Sequence, residues 1–208
     1  MTDVVPAGRP QGRLIVLTDR ARSVAAGRPL VATVAAAADA GAPFVLFREK
    51  DLSASDRLAF GRGIAAALAG TTTQLLVASS VGLAVELDAA GVHLASADPW
   101  PRDTGDGSLM VSRSCHDAAD VAAAAAEGAA WVTLSPILAT PSKPGYGPAL
   151  GTGALGAHGV PVFALGGITP ETIGACVAGG AHGVAVMGAV MAAPDPADMV
   201  RRLLDELA

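Results

Sequence analysis

Eight short apolar runs recur along the 208-residue chain, each set off from the next by a helical or turn-like stretch. They lie at 13–19, 44–48, 74–79, 91–95, 109–114, 131–137, 160–166 and 183–188. Runs such as RLIVLTD, FVLFR and GVAVMG are apolar almost without interruption rather than alternating. That is the pattern of parallel strands covered on both faces. Parallel neighbours need a long crossover, and a helix is the usual one. Eight such units in this length predict a single-domain (β/α)8 TIM barrel over 13–208, with a loosely ordered segment 1–12 ahead of it. An open doubly wound sheet would want a glycine-rich loop after its first strand. Thr18-Asp19-Arg20 stands there instead.

Helical stretches are expected at 30–40, 55–69, 117–127, 170–178 and 195–207. Ser55, Asp117 and Thr169-Pro170 sit where an N-cap, or a cap with a first-turn proline, belongs. Gly41, Gly70, Gly128 and Gly179-Gly180 follow helix ends, where a left-handed residue commonly stops the helix. The stretch 97–108 (ADPWPRDTGDGS) has no helical pattern, so the fourth crossover is expected to be short or irregular.

Composition narrows the function classes. Aromatic residues make up only 3% of the chain, so the core must pack through small and branched aliphatic side chains. A net charge of −5 offers no basic field for nucleic acid. The segment 1–12 lacks the apolar stretch of a signal peptide, and no run is long enough to span a membrane. Cys115 and Cys176 have neither metal nor redox spacing and read as free buried thiols of a cytoplasmic protein.

In a TIM barrel the chemistry sits at the C-terminal ends of the strands. Polar residues gather there: Thr18-Asp19-Arg20, Arg48-Glu49-Lys50, Ser79-Ser80, Ser112 to His116, Ser135-Pro136 with the segment Thr140 to Gly147, Gly166-Gly167-Ile168, and Met187-Gly188. The glycine pair Gly166-Gly167 precedes a Thr-Pro helix start, and Gly188 ends the neighbouring strand. Main-chain N–H groups at such turns and helix starts make an anion pocket. Gly166, Gly167, Ile168, Met187 and Gly188 are therefore the expected phosphate-binding residues. Arg48, Lys50 and Lys143 are expected to converge on a substrate. His116 is the candidate general acid/base, since an imidazole titrates near working pH. His93 lies within a strand and reads as packed and structural, and His158 and His182 carry no assigned role. The segment 138–149 is expected either to close as a lid carrying Lys143 or to stay static.

The ordered set LTDR, FREKD, GVHLASAD, SRSCHD, SPILATPSKPGYGPALG, ALGGITPE and GVAVMGAV resembles the thiamine phosphate synthase/TenI superfamily from Leu14 to Val190. The resemblance implies one of two reactions. A synthase joins a pyrimidine diphosphate to a thiazole phosphate and releases diphosphate. A TenI-type tautomerase aromatises a thiazole carboxylate phosphate by moving a proton. The synthase pattern Gln-x-Arg-x-Lys falls on Leu46, Arg48 and Lys50, so its Gln is absent. Its Asn-Asp-Arg falls on Ala78-Ser79-Ser80, and its Gly-Gln-x-Asp on Ala95-Ser96-Ala97-Asp98.

Of the two carboxylates that the resemblance would give to magnesium, only Asp98 is kept, a poor set for a hard cation. The phosphate loops are kept. The resemblance therefore implies first a TenI-like thiazole tautomerase, an isomerase with His116 as its proton-transfer residue and no cofactor. Arg48, Lys50, Ser114, Thr140, Ser142 and Lys143 would line the substrate. The alternatives are a thiamine phosphate synthase, a transferase with magnesium at Asp98, or a non-catalytic thiazole-phosphate-binding regulator. The expected partner is a phosphorylated thiazole, with no nucleic acid or membrane, and self-association into a homo-oligomer is left open.

Overall fold

The computed structural model describes residues 10–104, 107–139 and 148–208. Among them, eight parallel strands form a closed barrel in sequence order. They are β1 (Leu14–Leu17), β2 (Phe44–Phe47), β3 (Gln74–Ala78), β4 (Gly91–Leu94), β5 (Met110–Cys115), β6 (Trp131–Leu134), β7 (Val162–Leu165) and β8 (Gly183–Val186). Closure comes from β1 against β8, with Ile15 level with Ala185. Each strand falls inside or within a residue of its apolar run, because the runs extend beyond the ladder into the loops.

The helices are α1 (Arg20–Ala25), α2 (Leu30–Asp39), α3 (Ala54–Leu68), α4 (Val81–Glu86), α5 (Ala118–Glu127), α6 (Pro170–Ala178), α7 (Gly188–Met191) and α8 (Pro196–Asp205), with a 3₁₀ turn at Thr152–Leu155. The five expected helices are present. The short helices α1, α4 and α7 have no counterpart in the sequence pattern. Between β4 and β5 the described residues contain no helix, in keeping with the composition of 97–108. One cap is corrected: Ser53, not Ser55, begins α3. Its Oγ accepts from Asp56 N at 3.2 Å and donates to Asp56 Oδ2 at 2.7 Å. The serine three residues ahead of an acid outcompetes the later one because both groups gain a partner. No helix among the described residues is long and apolar enough to cross a membrane.

Two apolar layers follow from the alternation of side chains along each strand. Val16, Val45, Val77, Val92, Val132, Val162 and Val184 point outward and pack with the helices. Ile15, Leu17, Phe44, Leu46, Leu76, Ala78, Trp131, Phe163 and Ala185 fill the barrel interior. Trp131 is the largest fully buried side chain, with Phe163 edge-on to it at 5.2 Å. His182 lies edge-on to Phe163 at 5.2 Å, and its Nε2 meets the Pro10 carbonyl at 3.1 Å. His182 thus helps close the floor of the barrel, a role that its turn position in the sequence did not suggest. A depression of about 990 Å3 lies at this N-terminal end, among Pro10, Phe44, Gln74, Leu87 and Met110. It is at the opposite end from the polar strand termini.

Candidate active site at the barrel mouth

On β5 the inward alternation is Met110, Ser112, Ser114 and, just past the strand, His116. Arg113 and Cys115 take the outward face. Sequence alternation therefore delivers two hydroxyls and an imidazole, one above another, from the interior to the mouth.

His116 is held from two sides. Its main-chain N–H donates to Asp120 Oδ2 at 2.8 Å, and its Nδ1 lies 2.9 Å from the Ser135 carbonyl oxygen. A carbonyl only accepts, so Nδ1 carries a proton. Ser135 precedes a cis peptide bond to Pro136.

Below Ser114, His93 is buried in a nest of hydroxyls. Its Nδ1 is 2.9 Å from Ser112 Oγ, and its Nε2 is 3.0 Å from Ser114 Oγ and 3.3 Å from Thr133 Oγ1. The ring stacks on Trp131 at 4.9 Å with a 7° interplanar angle. Burial pushes its pKa down to about 3, and the Lys50 and Arg113 cations act in the same direction against an opposing pull from Asp98. The expected packed role holds, with a set of polar partners drawn from β5 and β6 that the sequence did not reveal.

The termini of β2 to β4 form the other half of the mouth. Arg48 is half-buried, and its N–H donates to Thr18 Oγ1 at 2.9 Å. Lys50 is exposed, and its charge reaches both His93 and Asp98. Between them Glu49 is buried, accepting from Arg20 N at 3.0 Å. Burial raises its pKa, helped by the nearby Asp19 and Asp51, although hydrogen bonds from Thr18 and Arg20 oppose the rise.

Asp98 is fixed by its own loop, with Oδ2 accepting from Ala95 N at 2.7 Å. Burial would raise its pKa, but Ser79, the Ala95 N–H and the Lys50 and Arg113 cations together hold it below the usual value. Ser79 has a left-handed φ of 57°, an unusual conformation for a residue other than glycine. Its Oγ is buried beside Asp98 without a hydrogen bond of good geometry.

Arg113 supplies an element that the sequence did not disclose. Its Nη1 donates to the carbonyls of Ala95, Ser96 and Asp98 at 3.1, 3.0 and 2.8 Å. Its Nη2 pairs with Glu127 on α5 at 3.2 Å. The loop carrying Asp98 is thereby tied to the next βα unit.

Asp98 is a sparse donor set for a magnesium diphosphate. Among the described residues no group of three or more His, Cys, Asp or Glu side chains could hold a metal ion. The Asp98 carboxylate already accepts a main-chain N–H and lies within reach of two cations. Magnesium with substrate phosphates commonly takes one or two protein carboxylates; here the second position is the neutral Ser79.

At β7 and β8 the expected phosphate loops come together. Gly166 and Gly167 have φ of 98° and 70°. A Cβ on Gly167 would stand 2.5 Å from Ala139 O, so glycine is required by close chain approach as well as by φ. The tail of β6 pairs with this turn, Ile137 N to Leu165 O at 2.9 Å and Leu138 N to Gly166 O at 3.0 Å. Next door, Met187 precedes the first turn of α7, which begins at Gly188. The N–H groups of Gly167, Ile168 and Gly188 have no acceptor among the described residues. Loops after strands 7 and 8 with a short extra helix are the recurrent phosphate site of this architecture. The expected Thr140, Ser142 and Lys143 lie outside the described residues, as does most of the 138–149 segment.

Comparison with known proteins identifies the family and the fold. A family model described as "Thiamine monophosphate synthase" matches residues 14–190. The chain is 38% identical to a putative thiamine-phosphate synthase of Geobacter sulfurreducens, with 92% of each chain covered. It is 35% identical to a thiamine-phosphate synthase of Roseiflexus castenholzii, covering 99% of this chain and 92% of the relative. Among solved structures, a thiamine phosphate pyrophosphorylase of Pyrococcus furiosus superposes with a TM-score of 0.80 at 23% identity, covering 96% of both chains. A 3-hexulose-6-phosphate synthase superposes with a TM-score of 0.71 at 18% identity, covering 94% of this chain and all of the other. The likeness to these two structures is one of fold.

Proposed function

The chain belongs to the thiamine monophosphate synthase family, and from that premise we propose that it is a thiamine-phosphate synthase, a transferase joining a pyrimidine diphosphate to a thiazole phosphate. The observation that carries this reading is similarity over more than nine-tenths of both chains to relatives bearing that name. It reverses the order of preference that the missing Gln, Asn and Asp positions suggested. The chain's own residues divide the work. The N–H groups of Gly167, Ile168 and Gly188 bind the thiazole phosphate. Ser114 orients the pyrimidine. Arg48 and Lys50 meet the charge of the departing diphosphate. Asp98 is the residue that would hold magnesium on the diphosphate, and no step is routed through it.

The test is incubation of the purified chain with both substrates, following thiamine phosphate and diphosphate together. Equal release of the two, abolished in Lys50→Ala, supports the transferase. No product at high enzyme concentration sinks it.

A second reading, the thiazole tautomerase, is favoured by one specific pair of observations. Ser79 stands where the family resemblance places an acid, and His116 is held at the mouth by its Nδ1 contact to the Ser135 carbonyl. This reading predicts aromatisation of a thiazole carboxylate phosphate that His116→Ala slows by ~100-fold or more, the usual worth of a positioned acid/base. Equal rates with and without His116 eliminate it.

A further inference from the structure

We infer that His93 is a positioning residue: its Nδ1–H tautomer turns the Ser114 hydroxyl into a fixed hydrogen-bond acceptor, so that the adjoining subsite takes a ligand N–H and disfavours a ligand carbonyl. The inference deepens the reading above, on which the identity of the ligand as a pyrimidine rests.

The protons of this relay are fixed one after another. Ser112 Oγ lies 3.2 Å from the Val92 carbonyl, which can only accept, so the Ser112 proton is given there. The 2.9 Å contact between Ser112 Oγ and His93 Nδ1 then needs the imidazole to donate. With Nδ1 protonated, a neutral ring leaves a lone pair on Nε2. Ser114 Oγ, at 3.0 Å, is the nearer donor to that lone pair, and Thr133 Oγ1 is the farther at 3.3 Å.

Neutrality is secured by the site itself. The ring is fully enclosed, stacked on Trp131, and faced by the charges of Lys50, Asp98 and Arg113, of which the two cations disfavour an imidazolium. Ser114 is half-buried on the mouth side of the relay. With its proton directed down to Nε2, its oxygen can only accept from a ligand. A hydroxyl normally rotates to suit either partner; this one is denied the choice. A heteroaromatic amine matches it, whereas an oxo group meets lone pair against lone pair.

Two measurements test the inference. In the first, long-range proton–nitrogen correlation spectra of the 15N-labelled chain report the His93 tautomer, assigned by the signal lost in His93→Gln. The neutral Nδ1–H form is expected throughout the range from about pH 5 to pH 8, where a free imidazole would titrate. An Nε2–H tautomer, or protonation inside that range, overturns the inference.

In the second, calorimetry compares binding of a 4-aminopyrimidine diphosphate with its 4-oxo counterpart. The amine should bind ~10-fold or more tightly, the scale of one hydrogen bond gained against one left unmade. His93→Phe keeps the stack on Trp131 but frees the Ser114 proton to turn, and the preference should fall to within a few-fold. His93→Gln, whose Oε1 can accept from Ser114, should restore part of it. Ser114→Ala, which leaves the interior packing alone, should abolish it.

A preference that survives His93→Phe and Ser114→Ala overturns the inference, as does failure of the native protein to bind either pyrimidine. Amine-selective binding without thiamine phosphate formation supports the inference while removing the transferase reading, so the two fail separately.

Discussion

Arg113 on β5 donates to the main-chain carbonyl of Asp98 at 2.8 Å, and this contact anchors the loop that carries the Asp98 carboxylate. The same Nη1 holds Ala95 and Ser96. The Arg113 side chain is 8% exposed and its partner Glu127 is 41% exposed. Arg113→Ala should therefore cost about 3 kcal/mol, the range for stripping a buried charged donor from its acceptors. Glu127→Gln should cost well under ~1 kcal/mol, since a half-exposed partner is screened by water. Urea unfolding of the two variants checks the contrast. Equal losses would mean that the ion pair, not the loop carbonyls, dominates.

Gly167 allows a second contrast. Its φ of 70°, and the 2.5 Å that would separate a Cβ from Ala139 O, leave alanine no place. Gly167→Ala should lower stability by ~2 kcal/mol or more and weaken binding of thiazole phosphate. Gly70 also has a positive φ, of 80°, but a Cβ there meets nothing within 4 Å. Gly70→Ala should cost only ~1 kcal/mol of backbone strain and leave ligand binding unchanged. Thermal melts with and without thiazole phosphate separate the two effects.

The buried His93 sets a pH dependence whose sign is fixed. Its folded pKa of about 3 lies below the unfolded value of 6.5. The unfolded chain therefore takes up a proton first as pH falls. Stability is full above 6.5 and is lost progressively towards 3, at a limiting slope of roughly 1 kcal/mol per pH unit. Glu49 contributes with the opposite sign, because its raised pKa lets the folded state gain a proton earlier. Comparing urea midpoints at neutral and mildly acid pH in native protein and His93→Phe isolates the histidine. The slope should shrink in the variant; an unchanged slope would assign it elsewhere.

Both cysteines are buried, and burial pushes the Cys115 thiol up to about 12 and raises that of Cys176. Neither should react with a thiol reagent in the native state at neutral pH, because the thiolate is the nucleophile. Both should react on unfolding. A fast-reacting native thiol would contradict the burial.

The barrel was legible in the sequence because its strands are apolar on both faces and stand out as unbroken runs. The short helices α1, α4 and α7 were not, since four to six residues carry too little periodicity to register. Within the site, His116 and the glycine turns could be named because their position after a strand is itself the signal. The shared inward face of Ser112, Ser114 and His116 was also present as a two-residue spacing, but reading it requires knowing that the strand bears a polar interior row. The bonds from His93 to β5 and β6, and from Arg113 to the Asp98 loop, join residues 15 to 40 positions apart. No local pattern encodes such pairs.

The closed floor has a consequence for traffic. Ile15, Trp131 and Phe163 plug the interior, and His182 with Pro10 seals it from beneath. Nothing can pass along the axis, so the mouth is both entrance and exit. Where two ligands share such a vestibule, the one seated deeper cannot depart past an occupied rim. Order of departure is then a property of the container, set by which ligand lies against Ser114 and which against the rim, before any preference in affinity is considered.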